Sequence, residues 1–63
     1  MNNLRYYREK RDLTQAELAN ATGIEVTKLS RAEAGGRDLK GQEWKLVAEK
    51  LDCSIDELLG VRK

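Results

Sequence analysis

The stretch Thr14-Gln15-Ala16-Glu17-Leu18-Ala19-Asn20-Ala21-Thr22-Gly23-Ile24-Glu25-Val26-Thr27-Lys28-Leu29-Ser30-Arg31-Ala32-Glu33 decides how this chain reads. Its first four residues fit a capping box. The Thr14 hydroxyl accepts from the backbone N–H of Glu17, and the Glu17 carboxylate accepts from the backbone N–H of Thr14. The helix so started carries Leu18, Ala19 and Ala21 and ends near Thr22. Gly23 then supplies the left-handed residue that a helix C-terminus favours. Val26, Leu29 and Ala32 recur at helical spacing, which predicts a further helix from about Val26 to Ala34. So short a connection between two helices predicts a steep crossing, the helix-turn-helix geometry, over about residues 15–34.

The flanking sequence extends the same pattern. Leu4, Tyr7 and Arg11 share one helical face and predict a first helix over about residues 2–11. Gly35-Gly36 stops the helix that began at Val26, and Arg37 to Gly41 reads as loop. Trp44, Val47, Ala48 and Leu51 stand at i, i+3, i+4 and i+7, a single apolar helix face. Ser54-Ile55-Asp56-Glu57 is a second capping box, opening a short helix through Leu58-Leu59 that Gly60 ends. No strand alternation and no internal repeat is present. The expectation is a compact five-helix, all-α domain spanning residues 1–63. A chain of 63 residues allows one such domain, and at that size only about 60% of the unfolded chain's surface is buried.

Composition removes several classes of function. Hydrophobic residues are 40% and charged residues 37%, too apolar for a disordered tail. The longest purely apolar run is Leu46-Val47-Ala48, so no segment spans a bilayer. Met1-Asn2-Asn3 lacks the apolar stretch of a signal peptide, and a cytoplasmic location is expected. There is no His and a single Cys, Cys53. An internal disulfide and a Cys/His zinc site are therefore out of reach. The usual general base is missing, as is any Ser-His or Cys-His pair, and no Gly-rich phosphate loop is present. The chain is expected to be no enzyme and to need no cofactor, metal or small-molecule substrate. Cys53 reads as a small, half-buried filler.

The formal net charge is +1, which by itself does not announce a polyanion partner. Its distribution is more telling. Arg5, Arg8, Lys10 and Arg11 face only Glu9 at the front, and Arg37, Lys40 and Lys45 outnumber Asp38 and Glu43 in the middle. Acid dominates from Glu49 onward. Whether the two basic regions meet depends on the fold.

Thr14 to Ala19, Gly23-Ile24, Leu29 to Glu33, Gly35, Arg37, Trp44, Val47, Ala48, Leu51 and Ser54 to Leu59 together resemble the Cro/phage-repressor class of helix-turn-helix proteins, the XRE family. The likeness covers about residues 4–59 and implies a lambda-repressor-like fold. It implies that Gln15 contacts a DNA phosphate at the start of the second helix, where unpaired N–H groups and a partial positive charge favour an anion. Val26, Thr27 and Lys28 match the opening of the recognition helix, with Ser30 and Arg31 one turn on. Arg37 and the backbone of Gly35-Gly36 match a phosphate-gripping loop. Arg8 and Glu33 match a structural salt bridge between the first and third helices.

The chain also departs from that pattern. Glu25 stands where Ser or Thr usually caps the recognition helix, and Val26 where a long polar side chain often reads bases. Ala32 replaces a bulkier apolar residue, and Leu39 stands where Pro is frequent. The resemblance implies a sequence-specific DNA-binding transcriptional regulator, a repressor of phage or mobile-element type, acting on double-stranded DNA as a homodimer. Leu58, Leu59, Val61 and Leu39 are candidates for the dimer face, with internal core as the alternative, the one favoured for Leu58. The alternative is an antitoxin-like or regulator-binding module that uses the fold on a protein partner, with weak or no DNA binding.

Overall fold

Left-handed residues punctuate the chain. Gly23 and Gly60 adopt φ values of 75° and 74°, and two aspartates, Asp12 and Asp52, adopt φ values of 56° and 54°. Glycine meets no Cβ penalty there, and Asp is among the few other residues that tolerate it. The computed structural model describes residues 2–36 and 38–60. These contain α1 (Leu4–Lys10), α2 (Gln15–Thr22), α3 (Val26–Glu33), α4 (Gly41–Leu51) and α5 (Ile55–Leu59). Among the described residues there is no strand.

Three helix starts use a carboxylate three residues on, two of them in a full reciprocal box. At α2, Glu17 N–H donates to the Thr14 hydroxyl (3.0 Å) and Thr14 N–H donates to the Glu17 carboxylate (2.8 Å). At α5, Ser54 and Glu57 repeat that exchange at 2.9 and 3.0 Å. The start of α4 lies at Gly41, ahead of the Trp44 at which the apolar pattern begins. Here only the backward half of a box exists: Lys40 N–H donates to Glu43 Oε1 at 2.9 Å, since a lysine side chain has no acceptor to offer in return. That backbone N–H is also the leading reason the Glu43 carboxyl sits below its ordinary pKa, with Lys28 adding to the effect. Thr14→Ala should cost about 1 kcal/mol in urea unfolding, and Thr14→Ser should leave stability near wild type.

The first helix is shorter than its 2–11 expectation because Asn2 and Asn3 are committed elsewhere. Asn2 Nδ2 donates to the Ala32 carbonyl at 2.6 Å while its Oδ1 accepts from Leu4 N–H at 3.0 Å. Asn3 donates from its backbone to Leu58 O (2.7 Å) and from its amide to Glu57 O (3.0 Å). The front of the chain thus ties the end of α3 to the end of α5. At the other end of α1, Arg11 donates to the Leu51 carbonyl and to Asp52, both at 3.1 Å, closing the C-terminus of α4 with a cation.

The core gathers Leu4, Leu18, Ile24, Leu29, Ala32, Leu39, Val47, Ala48, Leu51 and Leu58, with Tyr7, Leu13, Ala19, Trp44 and Cys53 packed at its edge. All five helices contribute. Helix α2 packs on α3 and α4, α1 on α3 and α5, and α4 on α5. Leu39 and Leu58 are buried within this core, so neither is available to a dimer face. Trp44 packs against the core, and burial raises the Cys53 thiol pKa, as suits a half-buried filler. No helix among the described residues is long and apolar enough to cross a membrane.

Candidate nucleic-acid interface

The interface is built from the way α2 and α3 are joined. Gly23 N–H closes on the Ala19 carbonyl at 2.8 Å. The Thr22 hydroxyl donates back to the Leu18 carbonyl (2.8 Å) and accepts from Ile24 N–H (3.3 Å). Ile24 is buried and anchors the turn. The two helices are therefore separate elements sharing one core, Leu18 on the first and Leu29 and Ala32 on the second.

With Leu29 and Ala32 facing inward, the opposite face of α3 is left to solvent. Val26 is 44% exposed, and Thr27, Ser30, Arg31 and Ala34 are exposed with it. The helical period puts residues 27, 30, 31 and 34 on one outward stripe. Glu25 occupies the cap position of α3 in an extended conformation but makes no side-chain cap bond. Its carboxylate is exposed at the leading end of the stripe.

One buried carboxylate fixes how α3 sits. Glu33 accepts from Arg8 Nε at 2.6 Å and Arg8 Nη2 at 3.2 Å, and from Gln15 Nε2 at 3.1 Å. Arg8 Nη1 also donates to the Leu13 carbonyl at 2.6 Å. The two charged side chains are only 10% and 7% exposed. The fork of Arg suits this bidentate grip. Hydrogen bonding to Glu33 raises the Arg8 pKa above its ordinary value, against the desolvation that lowers it. Helices α1, α2 and α3 are thereby joined through a single side chain.

The remaining nominated residues divide by their partners. Lys28 reaches back to Glu43 of α4 at 3.4 Å, and Arg31 lies 4.0 Å from Asp38. Both cations stay partly exposed, and such pairs hold weakly in water. Gly36 N–H is committed to the Arg31 carbonyl at 2.8 Å and Gly35 N–H to Ala32 O at 3.1 Å. A Cβ on Gly36 would sit 2.9 Å from that same Arg31 oxygen, so the glycine serves the close of α3. Arg37 lies outside the described residues, as does Val61.

Three of the front cations lie against other groups of the domain. Arg8 is buried against Glu33, Arg11 serves Asp52 and the end of α4, and Lys10 rests 6.0 Å from the centres of the Tyr6 and Tyr7 rings. Between α1, α2 and α3 a cleft of about 360 Å³ is lined by Asn2, Arg5, Gln15, Ser30, Glu33 and Ala34. The spacing of motifs nominated neither Asn2 nor Arg5. Arg5 could have been found one turn before Arg8 on the first helix. Among the described residues no group of three His, Cys, Asp or Glu is placed to hold a metal ion.

A paired-helix turn with an outward second helix defines a DNA-binding helix-turn-helix regulator, a class that acts by binding. The family model described as "Helix-turn-helix" matches residues 4–58. The chain belongs to that helix-turn-helix family, of the Cro/phage-repressor (XRE) type, and its fold is of the lambda-repressor-like kind. No curated protein and no solved structure matches it.

Proposed function

We propose that the chain is a single helix-turn-helix domain that represses transcription by laying α3 in the major groove of double-stranded DNA. The observation that carries this reading is the exposed outward face of Val26, Thr27, Ser30 and Arg31, with Ser30 sharing a cleft with Gln15 at the start of α2. In this geometry the first helix of the motif crosses the backbone and the second reads bases. Arg31 is suited to guanine O6 and N7, Val26 to a thymine methyl, and Thr27 and Ser30 to base edges or phosphates. The exposed N–H groups at the start of α2 meet a phosphate. Gln15 supports that contact while its side chain leans on Glu33, and Arg37 extends it beyond α3. Lys28, drawn toward Glu43, serves the rim of the groove.

On α3 both Lys28 and Arg31 have a carboxylate neighbour, so a monomer binds modestly and high salt releases it. A homodimer supplies the missing affinity, with half-sites about 34 Å apart along one DNA face. Ile55 and Leu59 of α5 are exposed apolar residues and form the dimer face of this reading. The protein then acts in the cytoplasm, on DNA of phage or mobile-element origin, without catalysis.

In vitro selection from random duplexes tests the reading, and enrichment of one palindrome is the expected result. Arg31→Ala should then lose about 1–3 kcal/mol of discrimination at its base pair, read as flattened preference at that position. A uniform fall in affinity across sequences would instead make Arg31 a phosphate contact.

A second reading has an observation of its own. Glu25 heads the outward stripe, and Asp38 and Glu43 accompany its cations. That acidic company suits a protein partner, in the manner of an antitoxin-like module. Selection without any enriched sequence, and Arg31→Ala indistinguishable from wild type, would favour it.

A further inference from the structure

We propose that Arg5 is a further phosphate contact of the DNA interface, standing on the α1 side of the cleft that α2 and α3 open toward the duplex. The inference rests on the DNA-binding reading above. It adds a third helix to a surface that the helix-turn-helix alone defines.

The placement comes from shared walls. Arg5 lines the same cleft as Gln15, at the start of α2, and as Ser30 and Ala34, on the outward stripe of α3. Glu33 also lines it, but its carboxylate is occupied by Arg8 and Gln15. Asn2 completes the wall, fixed by its bonds to Ala32 and Leu4. The charge at the mouth of the cleft is therefore that of Arg5. Its side chain is 71% exposed, and its one ion pair among the described residues is to Glu9, at 3.3 Å and itself largely exposed. A solvent-screened pair of that kind gives way readily to a phosphate, which accepts bidentately from guanidinium.

The neighbouring cations make the assignment selective. Arg8, one turn on, is sealed by Glu33. Lys10 lies over the tyrosine rings and is not part of the cleft wall. A rotation of 100° per residue puts Arg5 and Lys10 on different faces of α1. Arg5 is thus the α1 cation positioned to share a strand with Gln15.

The test is the salt dependence of binding, measured by fluorescence anisotropy on a selected duplex and a scrambled one from about 50 to 200 mM salt. Wild type is compared with Arg5→Gln, Arg5→Lys and Lys10→Gln, each checked for helix content by circular dichroism. Arg5→Gln should reduce the slope of log K against log salt by about 0.9, weakening both duplexes by the same factor. Arg5→Lys should keep the slope, and Lys10→Gln should overlay wild type. If wild type binds and Arg5→Gln overlays it, Arg5 is no contact and the DNA reading stands. If Arg5→Gln and Lys10→Gln lower the slope equally, the effect is net charge and the assignment fails. If Arg5→Gln weakens only the selected duplex, Arg5 reads a base and the phosphate assignment fails. If wild type binds no duplex, the DNA reading falls and this inference with it.

Discussion

Glu33→Ala should remove a large part of the protein's folding stability. The substitution leaves the Arg8 guanidinium buried without its counter-charge and strips the Gln15 amide of its acceptor. Breaking a buried pair from one side costs about 3–5 kcal/mol. A chain this short has a total stability of roughly 3–9 kcal/mol, so the loss is comparable with the whole. Urea melts followed by circular dichroism measure it. Removing both charges together tells the cause apart from simple loss of contact. Arg8→Met with Glu33→Leu keeps volume and removes both desolvation costs, and should lie close to wild type in stability. A Glu33→Ala melt within about 1 kcal/mol of wild type would show that Arg8 finds water or another acceptor, and that the bridge does not hold α3.

Leu29→Ala carries the second largest effect. Leu29 is fully buried, on the inner side of the helix whose outer side is left to solvent. Its truncation should cost about 2–5 kcal/mol, the spread depending on how far the cavity collapses. Leu46→Ala, at a site 41% exposed, is the control and should change stability by no more than about 0.5 kcal/mol. Because DNA binds the folded state, a duplex at about 100 times its Kd should return about 2.7 kcal/mol to the Leu29→Ala protein. Thermal melts with and without the selected duplex measure that recovery. A Leu29→Ala melt overlaying that of Leu46→Ala would remove Leu29 from the core described above.

Much of this arrangement is written locally and is legible in the sequence. The two capping boxes, Gly23, and the apolar spacing of Val26, Leu29 and Ala32 each act within a few residues, so a linear reading reaches them. The start of α4 was less visible, because Lys40 brings no side-chain acceptor and only Glu43 reports the helix start. The left-handed turns at Asp12 and Asp52 have no local signature, since a left-handed aspartate depends on surrounding structure. The candidate site was legible where periodicity decides it, on the outward stripe of α3. It was not legible where pairing decides it. The partners of Lys28 and Arg31 come from Glu43 and Asp38, in the following loop and helix. The use of Leu39 as core depends on that same loop folding inward. The role of Arg5 depends on α1 lying against α3, which no spacing rule reports.

The grip on Glu33 has a consequence for how such a protein can change its target. The buried contacts that orient α3 come from behind it, through Glu33, Leu29 and Ala32. The residues at 26, 27, 30 and 31 take no part in that grip. On the proposed DNA-binding reading they can be exchanged as a set, like type in a fixed frame, and a descendant acquires a new operator without having to relearn how to fold.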